Sequence, residues 1–321
     1  MDWSSSKCRR QFAGFAVAVL AYNIPVILWG AYVRISFSGD GCGANWPFCN
    51  GQVIPRHMAA PMAIEFTHRA MTSMDTFATL AMVIWAFLSF PKAHAVRKYS
   101  VLSLVFLFIE ALLGAGLVLF RLVANNQSAG RAWYLSAHLT NTLLLLAVLS
   151  ATAWLAYTDS ERLRWAKLPG RNLIALLVTI VVSVTGAIAA LGDTLFPASS
   201  LAAGVRQDFS SATGALLRLR MLHPAVAILG SAYLLWVAFG IIRSSGKDEH
   251  LFVAAKLVVM AVILQIAMGL VNVALLAPVW MQLIHLLVAD LVWIAIVLLA
   301  LESIRAVTDK TQPVSLVAVQ G

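Results

Sequence analysis

Pro61-Met62-Ala63-Ile64-Glu65-Phe66-Thr67-His68-Arg69 leads straight into an apolar run from Met71 to Phe90. Three ionisable side chains therefore enter a stretch long enough to cross a bilayer, which takes about 20 apolar residues as a helix. Charge inside a membrane is costly, so an intramembrane Glu or His is a functional candidate by default. Glu65 and His68 are three residues apart and share one helix face. That face has to point at something other than lipid.

The rest of the chain has the same character. Of its 321 residues, 61% are hydrophobic and 12% charged, against about 45–50% and about 25% in ordinary soluble domains. A soluble globular fold is excluded; the composition is that of an integral membrane protein. Eight runs are long enough to span: roughly 12–33, 62–90, 100–121, 132–156, 172–191, 217–242, 252–275 and 279–303. Gly186 and Gly192 weaken the fifth. A net charge of +9 would suit nucleic acid if it formed one patch, but the basic residues lie between the apolar runs, as loop anchors do, so no nucleic-acid partner is expected. With the N-terminus inside, fifteen of the 23 Lys and Arg residues fall on the cytoplasmic side, and both termini are expected there. Met1 to Gln11 is short and basic and enters a full-length span directly, so no cleavable presequence is expected and a bacterial cytoplasmic membrane is favoured.

The longest outer connections, 34–61 and 192–216, follow helix 1 and helix 5, and loops of that length tend to carry function. Their equivalent places expose an internal repeat. Gly30-Ala31 matches Gly186-Ala187; His68 matches His223; Glu110 and Gly114 match Gln265 and Gly269; His138 matches His285. The expected fold is all-α, with eight transmembrane helices forming two pseudo-symmetric four-helix bundles. The halves are residues 1–157 and 172–321, joined by a cytoplasmic linker at 158–171. Each half has an even number of helices, so the symmetry axis runs along the membrane normal.

His68, His138, His223 and His285 each lie about six residues inside the outer ends of helices 2, 4, 6 and 8, roughly 9 Å below the interface at 1.5 Å per residue. Two imidazoles on facing helices of a bundle are what a bis-histidine haem needs. A single such histidine would more simply hydrogen-bond a neighbouring helix, but four at matched positions argue for two sites, one per half. Copper or zinc fits less well, because no thiol or extra carboxylate accompanies each pair at that depth. His57, His94 and His250 fall in loops and read as solvated.

The stretches Gly30-Ala-Tyr-Val-Arg34, Ser38-Gly39, Cys42-Gly-Ala-Asn-Trp46-Pro47-Phe-Cys49-Asn-Gly51 and Glu65-Phe-Thr-His68-Arg69 together resemble the heme A synthase family, of the Bacillus-like type with a cysteine pair in the first outer loop. The resemblance covers all eight spans. It implies an oxidoreductase that converts a ring methyl group of heme O to a formyl group, giving heme A for terminal oxidases. By it, His68 and His138 would flank the substrate haem in the N-terminal half, and His223 and His285 would ligate the iron of a heme b cofactor in the C-terminal half, both toward the outer face. Heme O synthase and terminal oxidase assembly factors become candidate partners beside membrane lipid, and a homo-oligomer of unstated number is compatible with the small-residue helix faces.

The halves differ at Glu65, whose counterpart three residues before His223 is Arg220. An acid beside one haem only suits a half that does chemistry while the other stores an electron. Methyl oxidation develops positive charge at the reacting carbon, and a buried carboxylate can stabilise it or take a proton from attacking water. Glu65 is therefore the candidate catalytic residue; the alternative is a structural ion pair with Arg69 or Arg131. Arg218 and Arg220, and in the first half Arg69 and Arg131, are candidate propionate contacts, with interfacial snorkelling as the alternative. Cys42 and Cys49 lie on the oxidising side, where a disulfide is the first reading, either a staple over the pocket or a redox pair. Glu110 needs a partner, most simply on a neighbouring helix, while Asn141 and Asp290 are candidates to support the histidines. A di-haem b-type electron-transfer cytochrome, or a haem-binding transporter or chaperone, would also account for the four histidines, but not for the one-sided Glu65 or the cysteine loop.

Overall fold

In the computed structural model, which describes residues 6–209 and 220–311, the apolar runs fold into long helices. The first half contains α1 (Ser6–Ile35), α2 (Ala60–Ser89), α3 (Ala95–Leu119) and α4 (Ala129–Tyr157). The second contains α5 (Gly170–Leu195), a short α6 (Leu201–Asp208), α7 (Leu222–Ser244), α8 (Glu249–Ala274) and α9 (Val279–Thr311), preceded by a 3-10 turn at Trp165–Lys167. All but α6 are long and apolar enough to cross a membrane, and no named strand occurs among the described residues. The protein is an integral membrane protein of eight spans.

Local chemistry sets the helix ends. Pro61 sits in the first turn of α2, where its missing N–H costs nothing. Ser128 and Asp248 accept from Arg131 N and Leu251 N to cap α4 and α8, satisfying donors that would otherwise be orphaned. Helix α9 outlasts its apolar run because Arg305 bonds Glu302 at 2.7 Å and Asp309 at 3.2 Å along the same face, as neighbours one turn apart can. Helix α5 runs unbroken through Gly186 and Gly192; these glycines face the His223 ring and the Arg220 side chain, so other side chains fill the space that theirs leave.

His94 departs from expectation. It is 4% exposed rather than solvated, because its Nδ1 caps α3 by accepting from Val96 N at 3.2 Å, its Nε2 lies 3.6 Å from Asp159 and its ring stacks near Phe90. His57 and His250 are exposed as expected, although His250 lies in the first turn of α8 rather than in a loop.

The packing repeats. Helix α1 packs on α2 and α4, and α3 on α2 and α4; in the same way α5 packs on α7 and α9, and α8 on α7 and α9. Helices α4, α5, α9 and α1 join the two sets. Some 72% of the apolar window of α4 is buried and 50% of that of α9, against 17–33% for the other spans, so α4 and α9 are the central pair. Trp293 of α9 donates to Leu143 O of α4 at 2.6 Å, and Trp154 of α4 to Glu302 of α9 at 2.7 Å. Interhelical hydrogen bonds of this kind, with close packing, hold membrane helices together where lipid removes the hydrophobic drive.

Candidate functional site

Each of the four intramembrane histidines lies against a glycine of a neighbouring helix. A β-carbon at Gly30 of α1 would meet His68 Cε1 at 2.9 Å, and one at Gly186 of α5 would meet His223 Cε1 at 3.0 Å. One at Gly269 of α8 would meet His285 Cε1 at 3.2 Å, and one at Gly114 of α3 would meet His138 Nε2 at 3.4 Å. The glycines matched across the repeat are thus the notches into which the matched imidazoles fit. Small residues permit such approach between membrane helices.

His68 and His138 lie within electrostatic range of one another, and so do His223 and His285. In each pair one ring is tethered at Nδ1: His138 to Glu110 at 2.7 Å and His223 to Thr185 at 3.2 Å. The other ring, His68 or His285, has a buried Nδ1 with no hydrogen-bond partner among the described residues. No three His, Cys, Asp or Glu residues converge among the described residues; the arrangement is one of pairs.

Glu65 is 3% exposed and both of its oxygens are engaged. Cys42 N–H donates to Oε2 at 2.8 Å, and Arg69, one turn along α2, donates to Oε1 through Nε at 3.1 Å and through Nη2. Arg69 Nη1 reaches the outer loop, donating to Asn45 O at 2.7 Å and Phe48 O at 2.9 Å. That loop is closed by a Cys42–Cys49 disulfide and presses on the start of α2 so closely that a β-carbon at Gly41 would lie 2.5 Å from the backbone of Pro61. Glu65 and Arg69 therefore strap the loop to α2 from below.

The other arginines separate from Glu65. Arg131, 2% exposed, donates to Ala124 O at 2.5 Å and Asn126 O at 3.0 Å and ties down the α3–α4 turn. Arg220 bonds Asp208 and, at 3.2 Å, Asp193. Arg218 lies outside the described residues. Asp290 is 1% exposed with Oδ2 unpartnered among the described residues, while Asn141 donates to Glu110 at 2.6 Å. Sequence reasoning missed three contacts: the Thr142 hydroxyl on Glu110, the Thr185 hydroxyl on His223, and Arg34, which crosses between the halves to Ala190 O and Thr194 Oγ1, each at 2.9 Å. The first had a signal, since Thr142 follows His138 by one helical turn.

Residues 13–297 match the COX15-CtaA family model, described as cytochrome oxidase assembly protein. A 231-residue stretch covering 71% of the chain is 42% identical to a protoheme IX farnesyltransferase of Thermus thermophilus. It spans only 38% of that protein's length, so the chain corresponds to little more than a third of that relative. Heme A synthases of Shouchella clausii and Bacillus licheniformis are 29% and 28% identical over 76% and 80% of the chain, covering 80% and 84% of their own lengths.

Proposed function

The chain belongs to the COX15-CtaA family of cytochrome oxidase assembly proteins, and on that premise we propose that it is a heme A synthase, oxidising a ring methyl group of heme O to a formyl group. The observation that carries this reading is the set of four glycine-seated histidines, in two pairs, at matched places of a repeat. Unpaired, buried ring nitrogens at His68 and His285 fit a group that supplies the missing bond, and neutral imidazole is the commonest metal donor. We assign His68 and His138 to the substrate haem of the half 1–157, and His223 and His285 to a heme b of the half 172–321. Held by His223 and His285, such a group would supply one-electron transfer.

The residues of the first half do the rest. Glu65 stands one turn before His68 on the same face of α2, at the edge of the substrate position. Held by Arg69 and the Cys42 N–H, it is an aimed carboxylate, able to stabilise charge developing at the methyl carbon or to accept a proton from water. The strap over it keeps bulk water from that edge. Arg69, Arg131, Arg218 and Arg220 are proposed to meet propionates, with Arg220 exchanging Asp208 for one. The disulfide and the small share of basic residues at the histidine end support an outer-face site in a bacterial cytoplasmic membrane. The similarity to a stretch within a longer protoheme IX farnesyltransferase supports a heme O synthase as the supplier of substrate.

The test is expression with a heme O source, followed by reversed-phase separation of extracted haems. Formyl haem is expected from the wild type, and none, at normal protein level, from Glu65→Gln. A Cys42→Ser/Cys49→Ser variant separates strap from chemistry: it should keep measurable conversion where Glu65→Gln keeps none. Unchanged heme O from the wild type would leave an electron-transfer cytochrome or a haem carrier instead, and equal loss in both variants would reduce Glu65 to a loop anchor.

A further inference from the structure

The two halves differ at a second position, deeper than Glu65. Glu110 lies on α3, one turn before Gly114, and its carboxylate collects three donors from α4: His138 Nδ1 at 2.7 Å, Asn141 Nδ2 at 2.6 Å and the Thr142 hydroxyl. Asn141 Nδ2 also donates to Phe106 O at 2.9 Å, which braces the arrangement against α3. Two N–H donors and a hydroxyl thus face one carboxyl group, whose oxygens accept from them. With Nδ1–H committed to it, the bare lone pair of His138 is on Nε2, the atom beside the Gly114 notch. The repeat places Gln265 at the matching position, one turn before Gly269. Its amide Nε2 is 3.3 Å from His285 Nε2, while His285 Nδ1 has no partner among the described residues. Whichever amide atom faces the ring, that partner is uncharged.

We propose that Glu110 is a positioning residue that fixes the ligating nitrogen of His138 and makes this imidazole a stronger donor to a haem iron than its counterpart His285. The inference rests on the proposed haem in the first half. A carboxylate accepting from the far nitrogen of a metal-bound histidine fixes the tautomer and raises the ligand's basicity, and a more basic ligand favours the oxidised metal. The first-half haem is thereby held at a lower reduction potential than a neutral partner would give. An iron that is easier to oxidise suits a ring from which electrons are to be withdrawn. The second half, with an amide in place of the carboxylate, is tuned the other way.

The experiment is a redox titration of the full chain in detergent, loaded with heme O, comparing wild type, Glu110→Gln, Gln265→Glu and His138→Ala. Glu110→Gln is expected to raise the midpoint of the first-half haem, leave the second unchanged, and weaken first-half haem retention about 10-fold or more. Gln265→Glu is expected to lower the second-half midpoint alone. If His138→Ala alters the first-half spectrum but Glu110→Gln moves neither midpoint nor retention, Glu110 is only glue between α3 and α4 and the inference fails by itself. If His138→Ala changes nothing, the haem assignment falls and takes the inference with it. Should Glu110→Gln not accumulate, Gln265→Glu decides: an unmoved second-half midpoint overturns the proposal.

Discussion

The glycine beside each histidine is a graded series. At Gly30 an added β-carbon would sit 2.9 Å from the His68 ring, inside any real contact, whereas at Gly114 the distance to His138 is 3.4 Å, an ordinary one. Overpacking of the first kind costs about 1–3 kcal/mol, while Ala gains about 1 kcal/mol over Gly in a helix interior. Gly30→Ala is therefore expected to lower the melting temperature and displace His68, with loss of first-half haem, and Gly114→Ala to be neutral or slightly stabilising. Haem content and melting of both variants check the order; equal behaviour would remove the notch argument. The matched glycines and histidines were legible in the sequence because they recur at fixed places in two copies. The Glu110 cage was legible only as a buried acid in need of a partner. Which donors meet it depends on how α3 and α4 are turned about their axes, and hydropathy does not encode that.

At the scale of the element, His94 links the start of α3 to the Asp159 turn. Burial, the largest influence, pushes its pKa below the ordinary value, against the raising effects of Asp159 and Glu161 and with a lowering contribution from Arg9. A histidine whose pKa is lowered by folding stabilises the fold fully above its unfolded value of about 6.5, and that contribution is lost as the pH falls through the folded value. The melting temperature in detergent is expected to drop on acidification below about pH 6.5, and His94→Asn, which keeps a capping acceptor but does not titrate, to flatten the drop. Identical slopes would clear His94 of the role. Its burial was not readable beforehand, since a histidine between Lys92 and Arg97 has the surroundings of a solvated loop and only the fold brings Phe90 and Asp159 to it. The eight spans were readable, with described ends within five residues except at the start of α1 and the end of α9, which run six and eight residues further; the expected start of the sixth, at 217, lies outside the described residues. Their errors lie where polar turns extend a helix beyond its apolar run, as the Arg305 pairs do for α9.

Across the whole molecule, the seam between the halves is carried by α4, α9, α1 and α5, and Arg34 is its clasp on the histidine side. Its donations to Ala190 O and Thr194 Oγ1 bind α1 to the residue that the repeat makes its own counterpart. Hydrogen bonds from charged donors are worth about 1.5–3 kcal/mol, so Arg34→Leu is expected to destabilise the protein by about that much. In a thermal melt the two halves should then unfold at separate temperatures; one unchanged cooperative step would deny the clasp. Helices α4 and α9 each bear one histidine of a different pair, and they are also each other's most enclosed neighbours. Each is thus a wall of its own half and also the seam with the other. Since tightly packed interiors transmit strain rather than absorb it, a shift of either helix about its own histidine presses on the helix that carries the other.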